Sequence, residues 1–139
     1  MTDTLALLPH TLPHCQNARL ALFAIRRMGA HGLHDACAAH GIFTSFGQDF
    51  RRPLMLLRAL MADLAAHAGG TIAIAPCCCA RMTSAEAALL SILHRIEVEP
   101  MQAQFLMSDL LGIRRVEGPL MAAAAVTAAF VDAGRPIAA

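Results

Sequence analysis

The chain has 139 residues, a formal net charge of +1, 57% apolar residues and 15% charged ones. That length suits one domain with a core that needs neither disulfides nor a metal to fold, and the near-neutral charge gives no general drive toward nucleic acid. All 11 basic residues are arginine, which removes a Schiff-base lysine and the Walker A phosphate loop.

Much of the apolar content is alanine, the best helix former, so the composition favours closely packed helices. The longest apolar stretch, Leu120 to Val131, is too short to cross a bilayer. The surplus of apolar over charged residues predicts a homo-oligomer, with a dimer favoured. Met1 to Leu5 carry no basic segment ahead of an apolar core, so no secretory leader is expected and the chain is assigned to the cytoplasm, where thiols stay reduced. Five cysteines, an odd number, fit poorly with a closed disulfide framework.

Residues 1–14, with Pro9, His10, Pro13 and His14, read as an N-terminal arm ahead of a single helical domain. A first helix is expected from Cys15 to Met28. Ala18, Leu22, Ile25 and Met28 share one face, and Arg19, Arg26 and Arg27 lie elsewhere. Gly29 and Gly32 then loosen or break it. A short helix, Leu33 to His40, then stops at Gly41. Phe43, Phe46 and Phe50 at i, i+3, i+7 predict a further turn or two and a local aromatic plug. Arg51 and Arg52 stand before Pro53, where cations oppose the helix dipole. They form a surface pair or hold a carboxylate or anion. The helix from Leu54 to Ala68 carries a wide stripe of Leu54, Leu57, Met61, Leu64 and Ala68, broadened by Leu56 and Leu60, and is expected to be central. Gly69-Gly70 ends it.

Thr71 to Ala75 then reads as a short strand or an extended connector. A lone strand needs a partner, for which the same segment of a second subunit is a candidate. Thr83 with Glu86 is a capping-box pattern that starts the next helix, whose buried face is Leu89, Ile92, Leu93 and Ile96. Pro100 and Pro119 open two more helices that end near Gly112 and Gly134. The expected fold is an all-α bundle of five to seven helices, with at most one short extended segment near 71–75.

The segment Ala75-Pro76-Cys77-Cys78-Cys79-Ala80-Arg81-Met82-Thr83 holds chemistry that folding does not require. A thiol near a helix N-terminus with a cation at hand has its thiolate stabilised, and Arg81 is the nearest cation in sequence. Against this, a free cysteine often serves as a small buried hydrophobe. Cys77 and Cys79 can reach one soft metal such as zinc, but two sulfurs do not complete a tetrahedral site. Adjacent cysteines can also close a strained disulfide that is easily reduced. The missing metal ligands are sought in His34, Cys37 and His40, within a stretch where ligand-type residues recur every third position. On an α-helix only neighbouring pairs of these share a face. His31 with Asp35, and Asp63 with His67, are i, i+4 pairs that serve equally well as surface contacts.

The runs Phe50-Arg51-Arg52-Pro53-Leu54 and Ala75 to Thr83 resemble a family of small uncharacterised proteobacterial proteins. The resemblance extends over most of the chain. That family has no assigned activity, so the resemblance implies a cytoplasmic bacterial protein and no catalytic residue.

Two readings follow. In the first, Cys77, Cys78, Cys79 and Arg81 form a metal- or redox-responsive thiol site on a helical scaffold. In the second, the chain is a structural or interaction protein, a homodimer without site chemistry, and takes no cofactor. A third reading, an enzyme with one of the three thiols as nucleophile and His34, His40 or His67 as base, finds no support in spacing.

Overall fold

In the computed structural model, residues 8–138 are described. The leader reading of Met1 to Leu5 and the first seven residues of the expected arm lie outside them. Six α-helices form among the described residues: α1 Gln16–His31, α2 Ala36–Phe46, α3 Arg51–His67, α4 Ser84–Arg95, α5 Pro100–Leu111 and α6 Glu117–Asp132. A 3-10 turn, Gly47–Asp49, joins α2 to α3. The all-α bundle expected from sequence is what the chain adopts.

The apolar stripes explain how the helices pack. Leu54, Leu57, Leu60 and Leu64 of α3 are buried against α6, which contributes Ala123, Val126 and Phe130. Leu89, Ile92 and Leu93 bury the inner face of α4 against Ala103, Met107 and Leu111 of α5. Helix α1 lies on α2 and reaches both α3 and α4. Arg58 Nε donates to the Leu33 carbonyl at 2.9 Å and ties the α1–α2 turn to α3.

Two glycines behave differently from expectation. Helix α1 continues through Gly29 and stops at Gly32, whose φ of 103° few side chains adopt. Helix α2 runs through Gly41 to Phe46. A Cβ at Gly41 would stand 2.9 Å from the Phe23 ring, so the missing side chain is what lets α2 approach α1. The aromatic plug forms only in part. Phe43 meets Phe50 edge-on at 5.1 Å, while Phe46 pairs with Phe130 of α6 at 5.0 Å. Pro53 and Pro119 sit third in their helices rather than first, which the first turn tolerates because its N–H groups have no intrahelical partner.

Residues 71–76 form no helix and make no strand ladder. The strand pairing lies elsewhere: β1, His10–Thr11, pairs antiparallel with β2, Arg81–Met82. The connector is held within the chain instead, by its own polar bonds and by Ile72 and Ile74 packed on the core. The C-terminal segment folds back, with Ile137 buried and Pro136 accepting from Asn17 Nδ2 at 3.0 Å.

Candidate functional site

The capping box at α4 is present as expected. Thr83 Oγ1 accepts from the Glu86 N–H at 3.0 Å, and Glu86 Oε1 accepts from the Thr83 N–H at 2.9 Å. Glu86 also does what its spacing does not reveal. Its buried carboxylate takes the Arg26 guanidinium in a fork, Nε to Oε2 at 2.7 Å and Nη2 to Oε1 at 3.1 Å, and Oε2 accepts from the Ala75 N–H at 3.1 Å. Arg26, only 3% exposed, donates further to the Cys79 carbonyl at 3.0 Å and the Arg81 carbonyl at 2.7 Å. The placement of Arg26 away from the buried face is therefore corrected. A buried ion pair is tolerable only when its remaining bonding capacity is filled, and no buried side-chain N or O among the described residues lacks a partner. One pair thus fixes the backbone at residues 75, 79, 81 and 83, on both sides of the cysteines.

Within this frame the Cys79 N–H donates to the Pro76 carbonyl at 3.1 Å, closing a turn with Cys77 and Cys78 at its centre. Their Sγ atoms stand 3.5 Å apart. Cys77 is half-buried and Cys78 exposed. A hydrogen bond from Cys78 holds the Cys77 thiol below its usual range, and the Arg27 guanidinium adds to this while burial opposes it. Cys78, the partner in that bond and next to the resulting charge, is pushed up. The two sulfurs are therefore unequal, Cys77 the more acidic of the pair and Cys78 the less.

Arg27 is anchored on its other side. Its Nε and Nη2 donate to the two Asp35 oxygens at 3.0 Å each, and Asp35 caps α2 by accepting from the Ala38 N–H at 2.9 Å. Arg27 first and this N–H second hold the Asp35 carboxyl below the usual carboxylate range.

The structure distributes the sequence candidates as follows. Cys77 and Cys78 are brought together. Cys79 follows the turn, its carbonyl bound to Arg26. The Arg81 guanidinium donates to the carbonyls of Leu8 and Pro9 at 2.7 and 2.9 Å, away from the role its sequence position suggests. The cations acting on Cys77 are Arg27 and then Arg26. His34, Cys37 and His40 are exposed on and before α2, and among the described residues no three His, Cys, Asp or Glu side chains converge on a point that could hold a metal ion. Asp35 engages Arg27 rather than His31. His67 Nδ1 lies 2.9 Å from its own helix carbonyl at Asp63. Arg52 meets Asp132 at 2.7 Å with both side chains exposed, and Arg51 lies over the Phe50 ring.

Sequence reasoning missed Arg26, Arg27 and Asp35. Cys15 stands at the N-cap position of α1, where its side chain makes no cap bond. Burial raises that thiol, but the N–H groups of Ala18, Ala138 and Asn17 together outweigh it and leave it lowered.

The arrangement defines a small helical bundle with a two-thiol turn fixed by a buried ion pair. The chain belongs to a family of unknown function, DUF6628, whose model matches residues 2–109. That match includes the turn and the Arg26–Glu86 pair and ends before α6. No curated protein and no solved structure matches the chain. No described helix is long and apolar enough to cross a membrane.

Proposed function

We propose that the protein is a thiol-based redox-responsive protein of a reducing compartment such as the cytoplasm, with Cys77 as reacting thiolate and Cys78 as its partner. The observation that carries this is the 3.5 Å contact between two sulfurs of unequal acidity in one turn. The thiolate is the nucleophilic form. With a peroxide, Cys77 S⁻ attacks one oxygen, the O–O bond breaks, and a proton from water completes Cys77–SOH and one water. The Cys78 thiol then displaces that hydroxyl, its proton leaving with it as a second water, and an S–S bond forms. The two thiols have lost two electrons and the peroxide has gained them. Neighbouring Cα atoms are about 3.8 Å apart, less than a relaxed disulfide spans, so the bond is strained and small-molecule thiols reduce it readily. A metal site is less well supported, since two sulfurs leave a tetrahedral ion two ligands short.

The test is oxidation of the reduced protein with hydrogen peroxide, followed by thiol counting and peptide mapping. Loss of two thiols with a Cys77–Cys78 disulfide is expected. Cys77→Ser abolishes the reaction, and Cys78→Ser stops it at the sulfenic acid. Cys77 reacting no faster than the exposed Cys37 refutes the reading.

A second reading, self-association, rests on a separate surface. Met101 and Met121, 84% and 74% exposed, rim a shallow apolar groove floored by Ile96, Leu120 and Ala124. The same face offers both projecting side chains and a recess, as a two-fold interface between identical chains requires.

A further inference from the structure

We infer that the oxidised pair is reduced by a small thiol carrying a carboxylate, which docks between α1 and the turn and attacks Cys78. The inference rests on the thiol reading above and names its reductant. An open cleft of about 340 Å³ lies between α1 and the turn. Cys77, Cys78 and Cys79 all line it, together with Arg19, Leu22 and Phe23. Its volume falls at the lower end of the range for small-molecule pockets, about 300–1,000 Å³. The charge around it is one-sided, because no acidic side chain lines it among the described residues. Arg26 also borders the cleft but is neutralised by Glu86. Arg19 is exposed, donates through Nε to the Pro13 carbonyl at 2.6 Å, and pairs with no acid among the described residues. A guanidinium so placed suits a carboxylate, and half-buried Phe23 offers an apolar wall to the body of the same molecule.

Two features direct the attack to Cys78. Thiol–disulfide exchange depends on access to the sulfur attacked and on how well the other sulfur leaves. Cys78 is exposed, whereas Cys77 is half-buried. The sulfur of lower pKa leaves faster, and Cys77, with Arg27 beside it, is that sulfur. The reductant thiolate RS⁻ attacks Cys78 Sγ, the S–S bond breaks, and its electron pair leaves on Cys77 Sγ. A second RS⁻ attacks the reductant's own sulfur in the mixed disulfide. RSSR departs, and the Cys78 thiolate takes a proton from water. Two electrons have passed from the small thiols to the protein disulfide.

The test oxidises the full-length protein with hydrogen peroxide, removes the excess, and compares glutathione with glutathione diethyl ester at equal thiolate concentration. Glutathione is expected to reduce the pair about threefold to fivefold faster, the upper scale of one exposed charge pair. That advantage is expected to vanish in about 1 M salt. Arg19→Gln is expected to bring the ratio of the two rates toward one, and Arg19→Lys to keep it. Tandem mass spectrometry of acid-quenched samples is expected to place the glutathionyl group on Cys78. A wild-type ratio near one, or a ratio unchanged in Arg19→Gln, overturns the docking of a carboxylate in the cleft. A glutathionyl group on Cys77 overturns the point of attack. Both results leave the Cys77–Cys78 disulfide standing, whereas failure of hydrogen peroxide to form that disulfide removes the thiol reading itself.

Discussion

Arg27 serves both Asp35 and Cys77, and this makes the acidity of Cys77 depend on Asp35. The guanidinium holds Asp35 in a two-point contact and also favours the Cys77 thiolate. Removing the cation and removing its competing anion therefore move Cys77 in opposite directions. A lowered pKa means the thiolate is populated at lower pH, so loss of the cation shifts reactivity upward. In Arg27→Gln the pH midpoint for iodoacetamide alkylation of Cys77 is expected to rise, because a nearby opposite charge that favours the thiolate is lost. In Asp35→Asn, whose amide oxygen still caps α2, it is expected to fall. Peptide-resolved alkylation rates across pH read each cysteine separately, and shifts of the same sign in both variants contradict the account. Arg81, two residues from Cys79, was the cation sequence proximity suggested. It sits on β2 and faces the N-terminal arm, while the effective charge comes from 50 residues earlier. Proximity along the chain carries little information across a tertiary contact.

At the scale of elements, the loop from 72 to 83 has little regular structure of its own and depends on α1 and α4 for its shape. The Arg26–Glu86 pair differs from an isolated buried ion pair, which apolar residues can often replace without loss. Here four backbone groups also bond to it: the N–H groups of Ala75 and Thr83 and the carbonyls of Cys79 and Arg81. Glu86→Gln leaves a buried guanidinium uncompensated and is expected to destabilise the fold by about 3–5 kcal/mol in urea unfolding. The double variant Arg26→Met, Glu86→Leu is expected not to recover, because each orphaned backbone group costs about 1–3 kcal/mol. Hydrogen exchange should rise across 72–83 in both. Wild-type stability in the double variant refutes the structural role.

Much of this level was legible. The Thr83–Glu86 spacing marked the start of α4, apolar periodicity found α1 and α3, and proline and glycine punctuation found α5 and α6. The boundaries at Gly29 and Gly41 were not legible. Glycine inside a helix is only about 1 kcal/mol unfavourable, and the contact of Gly41 with Phe23 becomes apparent only when α1 and α2 are assembled. Arg26 was unreadable for the same reason, since its partner lies 60 residues away.

For the whole molecule, one face remains unexplained by its own fold. Val98, Met101, Phe105 and Met121 are each more than 70% exposed, on α5, on α6 and just before α5. Most large apolar residues elsewhere are covered, which makes this concentration the place where a second copy would gain most. The connector at 71–75, the contact once expected between subunits, is satisfied within its own chain by Thr83 Oγ1 donating to the Ala73 carbonyl at 2.7 Å and by Glu86. The α5–α6 face is therefore the one proposed for a dimer. Sedimentation velocity over a dilution series is expected to show a concentration-dependent dimer for the wild-type chain. Replacing Met101 and Met121 by Gln and Phe105 by Ser is expected to weaken it at least about tenfold, because truncating even one central anchor commonly exceeds 1.4 kcal/mol. The same substitutions should leave urea unfolding of the monomer within about 0.5 kcal/mol per site, as exposed positions do. This second measurement separates the two roles of the face. Dissociation with loss of stability would mean these side chains support the fold. Dissociation at constant stability assigns them to the interface, and a wild-type monomer at every concentration eliminates it.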